Sequence, residues 1–321
     1  MTKTRILKAD IPRDRTRRVC LATLGSLASL GALAALPSAI GATPAPGQLE
    51  KRIPSTGERI APIGMGTWIT FNVGRDEQAR QARLNVLREF FSAGGGMVDS
   101  SPMYGSAQEV MGDLLTRLDR PSELFSATKV WTNSAADGRE QIEDARQLWG
   151  IDRFDLYQVH NLLNWEAHLP HLQALKQAGQ LRYVGITTSH GRRHEELAQI
   201  IEQQAIDFVQ LTYNPLDPEA ESRLLPLAKD KGVAVIVNRP FQRGSLTQRL
   251  DGKPLPPIAA ELGCDSWAQL LLKWVVAHPA VTCVIPATSQ VAHMRENMAA
   301  GHGEMPTAAQ RELIAQAVRG A

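Results

Sequence analysis

The chain has 321 residues, and its 43% hydrophobic and 21% charged content is ordinary for a soluble enzyme. That length accommodates one domain of about 250 residues plus an extension. The formal net charge is +2, but the first 42 residues carry seven basic and two acidic side chains, which leaves −3 for the rest. A slightly acidic body without a basic cluster argues against nucleic acid as a partner.

The N-terminal segment has the features of an export signal. Arg17 and Arg18 stand directly before the stretch 19–47, which carries no charge and is rich in Ala, Leu, Gly and Ser. Paired arginines before a modestly apolar run, with small residues near Ala42, are typical of a twin-arginine signal peptide. A membrane anchor is the alternative interpretation, because the apolar run approaches the length that spans a bilayer.

We therefore predict a twin-arginine signal peptide at residues 1–42, a linker at 43–49 and one folded domain at 50–321. The protein is expected to engage the twin-arginine export machinery and to reach the periplasm. Membrane contact is expected only through the signal segment. Cys264 and Cys283 remain after cleavage and are predicted to be buried, unpaired thiols. No His or Cys spacing predicts a metal site.

From residue 50 onward, short β-like runs alternate with helical patterns to the end of the chain. A hairpin from Arg52 to Ile60 comes first, and a helix is predicted from Ser106, with Glu109 at capping-box spacing. Eight such βα units without a linker predict an α/β fold, a (β/α)8 TIM barrel with an N-terminal hairpin and an extra C-terminal helix. An open doubly wound sheet is disfavoured, because no Gly-x-Gly-x-x-Gly follows the first strand.

Four polar residues stand at or just after the ends of predicted strands: Asp99, Tyr104, Lys129 and His160. The C-terminal ends of barrel strands form the catalytic face of this architecture. A Lys ammonium lowers the pKa of a nearby phenol from about 10, and an Asp keeps that Lys charged. A His can hydrogen-bond a carbonyl oxygen. Each residue alone would be read as a solvated strand end or a helix cap, but together they predict a site that protonates a carbonyl during its reduction.

With these four residues in this order, the chain resembles the aldo-keto reductases from about residue 50 to its end. The resemblance implies that Asp99, Tyr104, Lys129 and His160 form the family's catalytic tetrad. Tyr104 would then protonate the carbonyl oxygen, Lys129 and Asp99 would tune Tyr104, and His160 would orient the substrate. It also implies a pyridine nucleotide that delivers a hydride to an aldehyde or ketone.

The segment 185–188 is similar to the family's Gly-x-Ser-Asn signature, whose side chains bind the nicotinamide carboxamide. Thr187 and Thr188 occupy those two places, although two Thr residues after a strand are also a common helix cap. Asn238 stands where the family usually has a Tyr that stacks on the nicotinamide. Phe241 or Arg239 could replace that ring, and Arg239 could instead meet a phosphate.

The segment 285–297 resembles the family's adenosine-binding region. Two basic residues that bind a 2′-phosphate in many members are replaced here by Ala287 and His293, and Arg295 is two positions away. NADP(H) is the expected cofactor on family grounds, and NAD(H) is the alternative. The full set of expected cofactor contacts is Thr67, Thr187, Thr188, Gln210, Asn238, Arg239, Phe241, Thr288, Gln290, Glu296 and Asn297.

Trp68 and Trp131 match aromatic positions that wall the family's substrate pocket, which suits a small apolar or aromatic carbonyl compound. Their alternative interpretation is packing beneath loops. The sequence predicts an NAD(P)-dependent reductase that is a monomer. Two other functions remain open on the same barrel. One is a nucleotide-binding redox sensor, and the other is an epimerase or dehydratase that oxidises the nucleotide only transiently.

Overall fold

The computed structural model describes residues 47–321, so the predicted signal peptide and most of the predicted linker lie outside the described residues. Within that range, two short strands precede eight parallel strands that alternate with helices. The strands are β1 Lys51–Arg52, β2 Arg59–Ile60, β3 Met65–Gly66, β4 Met97–Asp99, β5 Phe125–Val130, β6 Phe154–Val159, β7 Leu181–Thr187, β8 Phe208–Thr212, β9 Ala234–Asn238 and β10 Val281–Val284.

The helices mostly cover the outside of this sheet, as expected for βα units. They are α1 Glu77–Ser92, α2 Ala107–Arg117, α3 Ala135–Trp149, α4 Trp165–Gln177, α5 His194–Gln203, α6 Leu224–Asp230, α7 Ser245–Leu250, α8 Pro257–Glu261, α9 Trp267–Val276, α10 Val291–Ala299 and α11 Ala308–Gly320. Side-chain caps start several of them; for example, Asp76 accepts from the Ala79 backbone N–H ahead of α1.

The sheet closes into a barrel because its first and last strands meet. Val284 N–H donates to the Pro62 carbonyl at 2.9 Å, and Gly64 N–H donates to the Val284 carbonyl at 2.8 Å. Gly66 is required at this seam, since a Cβ there would lie 2.9 Å from the Ile285 carbonyl oxygen. The predicted (β/α)8 barrel is confirmed.

The β1–β2 hairpin covers the end of the barrel where the strands begin. Ile53 is fully buried in the interior cluster that also contains Phe125 and Tyr183, which by area is worth roughly 1.5–3 kcal/mol. Glu58 from the hairpin accepts hydrogen bonds from Arg182 and from the Tyr183 hydroxyl. This end of the barrel is therefore filled and paired, which leaves the opposite end for a ligand.

The stretch after β9 contains the two short helices α7 and α8. One local prediction about a helix was wrong. The predicted capping box at Ser106 is absent. The Ser106 hydroxyl donates instead to Asn72 Oδ1, at 3.0 Å, and Glu109 pairs with Arg80. Ser106 therefore bonds a side chain 34 residues away in sequence instead of the backbone of its own helix.

Residues 47–321 include no helix long and apolar enough to cross a membrane. The same residues hold no group of three metal-ligating side chains. Cys264 and Cys283 are both buried, and neither forms a disulfide within residues 47–321, as predicted.

Candidate active site

The four predicted catalytic residues meet at the end of the barrel opposite the hairpin. Asp99 ends β4, Lys129 lies near the end of β5, and His160 directly follows β6. Tyr104 lies in a short 3-10 turn after β4, which Ser101 caps by accepting from the Met103 N–H. Successive parallel strands thus deliver all four side chains to one face.

Lys129 and Asp99 form a buried ion pair. Both side chains are almost fully excluded from solvent, and Lys129 Nζ lies 2.5 Å from Asp99 Oδ2. The Lys129 ammonium also donates to the Ser100 carbonyl at 2.8 Å. The second carboxylate oxygen accepts from Gln158 at 2.9 Å and from Gln210 at 3.1 Å. A buried pair with satisfied oxygens holds its geometry, because breaking any contact leaves an unpaired charge.

The charge state of Lys129 follows from this pairing. Burial by itself lowers the pKa of Lys129, but Asp99 and Tyr104 outweigh burial, and the net pKa lies above its usual value. Lys129 therefore remains an ammonium at neutral pH, and its Nζ lies 5.1 Å from the centre of the Tyr104 ring. The Tyr104 phenol therefore lies next to a permanent positive charge, the Lys129 ammonium.

Burial and the neighbouring charges act on the pKa of Tyr104 in opposite directions. Burial has the largest effect and raises it, the charge of Lys129 lowers it, Asp99 raises it, and Arg239 lowers it. The net pKa of Tyr104 is raised, because burial outweighs Lys129, which lowers the pKa as predicted. Tyr104 keeps its proton at neutral pH and releases it only to a strong acceptor, such as a carbonyl oxygen gaining negative charge.

His160 is neutral, and Ser101 sets which ring nitrogen carries the proton. Burial lowers the pKa of His160 well below its usual value, and the charge of Lys129 adds to the effect. Ser101 Oγ lies 2.8 Å from His160 Nδ1 and already accepts from the Met103 N–H. Since Nδ1 is the one acceptor near the Ser101 proton among the described residues, Nε2 carries the hydrogen and can donate to a carbonyl.

These residues border a cavity of about 990 Å³, enough for a dinucleotide and a small substrate. Most predicted site residues line it. They are Thr67, Trp68, Asp99, Tyr104, His160, Thr187, Thr188, Gln210, Asn238, Arg239, Phe241, Thr288, Glu296 and Asn297. Lys129 lies behind the wall, and Gln290 and Trp131 are not among the lining residues. The backbone of Trp131 is hydrogen-bonded to Gln141, and its indole is 41% exposed.

Comparison with known proteins decides the family. The sequence profile of the Aldo/keto reductase family matches residues 62–315. The chain belongs to the aldo/keto reductase family. Its reaction class is therefore the reduction of an aldehyde or ketone.

Two relatives from Escherichia coli (strain K12) are similar over most of their length. Methylglyoxal reductase YeaE is 27% identical over 265 residues, which covers 81% of this chain and 92% of the relative. The NADH-specific methylglyoxal reductase is 22% identical over 311 residues, covering 78% and 93%.

Solved structures agree in fold. An aldo/keto reductase from Klebsiella pneumoniae in complex with NADP and acetate has a TM-score of 0.66 at 22% identity, covering 82% of this chain and 93% of that one. The thermostable aldo-keto reductase Tm1743, in complex with the inhibitor epalrestat, has a TM-score of 0.68 at 25% identity, covering 84% and 99%.

The cavity wall fits a nicotinamide carboxamide. The Thr188 hydroxyl is buried without a partner in residues 47–321, and Thr187 Oγ1 accepts from the Asn161 N–H, which leaves its own proton free. An orphaned buried hydroxyl is costly unless a ligand satisfies it. Asn238 contributes no ring; its amide donates to the Thr188 carbonyl at 2.9 Å and to Gln210 Oε1 at 3.3 Å. Asn238 therefore braces the two residues nearest the expected carboxamide.

The part of the cavity wall formed by residues 285–297 carries little positive charge. Ala287, His293, Glu296 and Asn297 line it. Arg295 does not, because its guanidinium makes a bidentate pair with Glu89 on α1, at 2.9 and 2.8 Å. Within the described segment 285–297, no Lys or Arg faces the cavity.

Replacing Ser101 with Ala is expected to lower kcat/KM for carbonyl reduction about fivefold. The His160 ring would lose the contact that fixes its tautomer, worth about 1 kcal/mol. Ser100→Ala is the matched control, because the Ser100 hydroxyl bonds Thr67 and does not reach His160. Nitrogen-15 chemical shifts of the His160 ring would report the tautomer directly. Equal kcat/KM in both variants would contradict this role.

Four residues in or near the site were not singled out from the sequence: Ser101, Gln158, His190 and Arg243. Gln158 lies one strand position before Val159 and holds Asp99, while Ser101 reaches across 59 residues to His160. A polar residue inside the apolar run of β6 was the one available signal for Gln158. Nothing local distinguishes Ser101 from its neighbour Ser100.

Proposed function

We propose that this protein reduces an aldehyde or ketone to an alcohol, using a nicotinamide dinucleotide, with Tyr104 as the proton donor. The observation that carries the proposal is the meeting of Tyr104, the Lys129–Asp99 pair and His160 at one corner of a cavity large enough for both ligands. The family assignment supports the same reaction.

A bound reduced nicotinamide supplies the hydride, and the reaction balances as carbonyl plus NAD(P)H plus a proton giving alcohol plus NAD(P)⁺. His160 Nε2–H donates to the carbonyl oxygen and holds it beside the phenol. Tyr104 transfers its proton to that oxygen as negative charge develops on it. Lys129 stabilises the phenolate that remains, and Asp99 keeps the ammonium in place.

Polar side chains of the cavity wall would hold the nicotinamide in a fixed orientation. Thr187 and Thr188 hydroxyls can meet a carboxamide, and the Gln210 side chain lies between Asp99 and Asn238, at 3.1 and 3.3 Å. This amide network therefore connects the expected cofactor position to the catalytic carboxylate. Thr67, Phe241 and Thr288 line other parts of the same cavity.

NADP(H) remains the expected cofactor, with NAD(H) as the alternative. A solved relative holds NADP, and another relative is described as NADH-specific. The lack of a cavity-facing Lys or Arg within residues 285–297 weakens the attraction that this segment offers a 2′-phosphate dianion. Selectivity between the two nucleotides is therefore expected to be small.

Replacing Ala287 with Lys is expected to tighten NADPH binding about tenfold relative to NADH. Ala287 is exposed and lines the cavity, so a lysine there can reach the 2′-phosphate without a clash. Fluorescence titration would give both dissociation constants. Ala136→Lys adds the same charge to exposed α3 and serves as the control. An unchanged NADPH-to-NADH ratio in Ala287→Lys would contradict this placement of the phosphate.

We also propose twin-arginine export to the periplasm, supported by Arg17 and Arg18 before an uncharged stretch. That pathway carries folded proteins, so the enzyme would leave with its nucleotide bound. Arg17→Lys with Arg18→Lys is expected to keep the protein in the cytoplasmic fraction.

Acid denaturation of periplasmic protein should release near-stoichiometric nucleotide. Recovery of nucleotide-free protein would contradict cofactor-loaded export.

Turnover separates the proposal from its alternatives. The reductase should oxidise NADPH or NADH continuously when given a simple aromatic aldehyde, and it should do so as a monomer. A redox sensor would bind nucleotide and react slowly or once. An epimerase or dehydratase would convert its substrate without net nucleotide oxidation. Steady-state rates measured with purified protein, together with light scattering for mass, distinguish these outcomes.

A further inference from the structure

One side of the cavity carries several arginines without carboxylate partners. Arg239 and Arg243 both line the cavity. Burial and the charge of Arg243 lower the pKa of Arg239, the nearby Asp217 carboxylate raises it, and Arg192 lowers it further. In residues 47–321 none of these three guanidinium groups forms a salt bridge. Clustered unpaired cations repel one another, so an anion bound among them would be stabilised.

Arg239 is held from one edge by a chain of hydrogen bonds. Ser189 Oγ donates to Asn161 Oδ1 at 3.3 Å and lies 2.9 Å from His190 Nδ1. Because the Ser189 proton goes to Asn161, His190 Nδ1 carries a hydrogen, and its Nε2 accepts from Arg239 Nη2. The remaining N–H groups of Arg239 have no acceptor within the described chain. The Arg239 guanidinium is thus oriented by His190 and keeps N–H groups that can bind a ligand.

The backbone at this place is in an unusual conformation. His190, Arg239 and Arg243 have positive φ angles of 67°, 53° and 64°. Such angles are strained in residues other than Gly and concentrate at functional sites. The Asn214 side chain holds the Arg239 carbonyl at 3.1 Å. The fold therefore maintains a strained turn that directs Arg239 to the cavity.

The two lining arginines have different surroundings. The guanidinium carbon of Arg243 lies 4.4 Å from the centre of the Trp68 ring, so its charge is engaged with an aromatic face. Arg239 borders the cavity near Tyr104, and its charge is one of those that act on the phenol. A carbonyl oxygen that receives the Tyr104 proton brings the rest of its molecule close to Arg239.

We propose that Arg239, oriented by His190, is a subsite for an anionic group on the substrate, so that the preferred substrate is a carbonyl compound bearing a carboxylate or a phosphate. This inference rests on the proposed reductase function. Arginine presents paired N–H donors that match two oxygens of such a group. The nucleotide's own pyrophosphate offers the same oxyanion chemistry, and the experiment must separate the two sources.

The experiment compares para-carboxybenzaldehyde with its methyl ester, which differ chiefly in one negative charge. We expect wild-type kcat/KM to be about tenfold higher for the carboxylate. Arg239→Gln should bring the carboxylate-to-ester ratio close to one, through a higher KM for the carboxylate. Arg153→Gln, an exposed change next to the start of β6, is the control and should keep the wild-type ratio.

Nucleotide affinity, measured by fluorescence titration, identifies the source of the anion. A dissociation constant within about twofold of wild type in Arg239→Gln supports a substrate subsite and removes Arg239 from the expected cofactor contacts. A wild-type ratio near one would overturn the proposal. So would an Arg239→Gln variant that binds nucleotide tenfold more weakly and loses both aldehydes equally, because Arg239 would then serve the pyrophosphate.

Failure of the proposed function gives a different pattern. If neither aldehyde oxidises NADPH or NADH, the reductase assignment fails, and calorimetric binding of the two aldehydes tests the subsite alone. Tighter binding of the carboxylate that is lost in Arg239→Gln supports the subsite. Equal binding of the carboxylate and the ester overturns it.

Discussion

Replacing Tyr104 with Phe is expected to lower kcat about a thousandfold while leaving nucleotide affinity intact. The change removes only the hydroxyl, whose proton goes to the carbonyl oxygen, and general acid catalysis contributes roughly 10²–10⁴-fold. The Phe ring retains the edge contact with His160, at 5.7 Å between ring centres. Steady-state turnover and fluorescence titration of the nucleotide measure the two properties separately.

Tyr157→Phe provides a matched control for that experiment. Tyr157 is a fully buried tyrosine on β6 whose hydroxyl donates to the Gln141 carbonyl, at 3.3 Å, outside the cavity. Its loss should cost some stability and leave kcat close to wild type. A Tyr104→Phe variant with near wild-type turnover would remove Tyr104 from the mechanism.

Replacing Lys129 with Met is expected to destabilise the fold by about 3–5 kcal/mol as well as to abolish turnover. The change leaves the Asp99 carboxylate buried without its ammonium, and an uncompensated buried charge has this order of cost. Asp99→Asn combined with Lys129→Met should be more stable than Lys129→Met alone, because the unpaired charge is gone. Urea unfolding of the three proteins gives the comparison.

Lys273→Met is the control for removing a buried lysine. Lys273 is also buried, but within the described part of the chain it donates only to the carbonyls of Leu262 and Glu304, at 2.8 and 2.9 Å, and pairs with no carboxylate. The Lys273→Met variant should lose less stability than Lys129→Met and should turn over substrate at close to the wild-type rate. If the double variant were no more stable than Lys129→Met, the cost would not come from the Asp99 charge.

The barrel and the meeting of Asp99, Tyr104, Lys129 and His160 at one face could be predicted because their signals are local. A strand end is visible in sequence, and parallel strands bring their C-terminal ends to one face. Asp99, Lys129 and His160 needed no knowledge of distant contacts. The N-terminal hairpin was predicted for the same reason, since its turn residues lie between two short β-like runs.

The finer parts of the site depend on contacts between distant residues and could not be predicted. Ser106 matched a capping box but bonds Asn72 because the loop after β3 folds across the start of α2. Arg239 stood next to the expected stacking position, yet its orientation depends on His190, 49 residues earlier. The net pKa of Tyr104 likewise depends on burial, which no spacing of charges reveals.

The most direct test of the central claim is to measure nucleotide oxidised against alcohol formed when purified protein is given NADPH or NADH and an aromatic aldehyde. We predict continuous turnover with one alcohol formed per nucleotide oxidised, and its loss in Tyr104→Phe. Nucleotide binding without turnover, or substrate conversion without net nucleotide oxidation, would contradict the assignment of this cavity to carbonyl reduction.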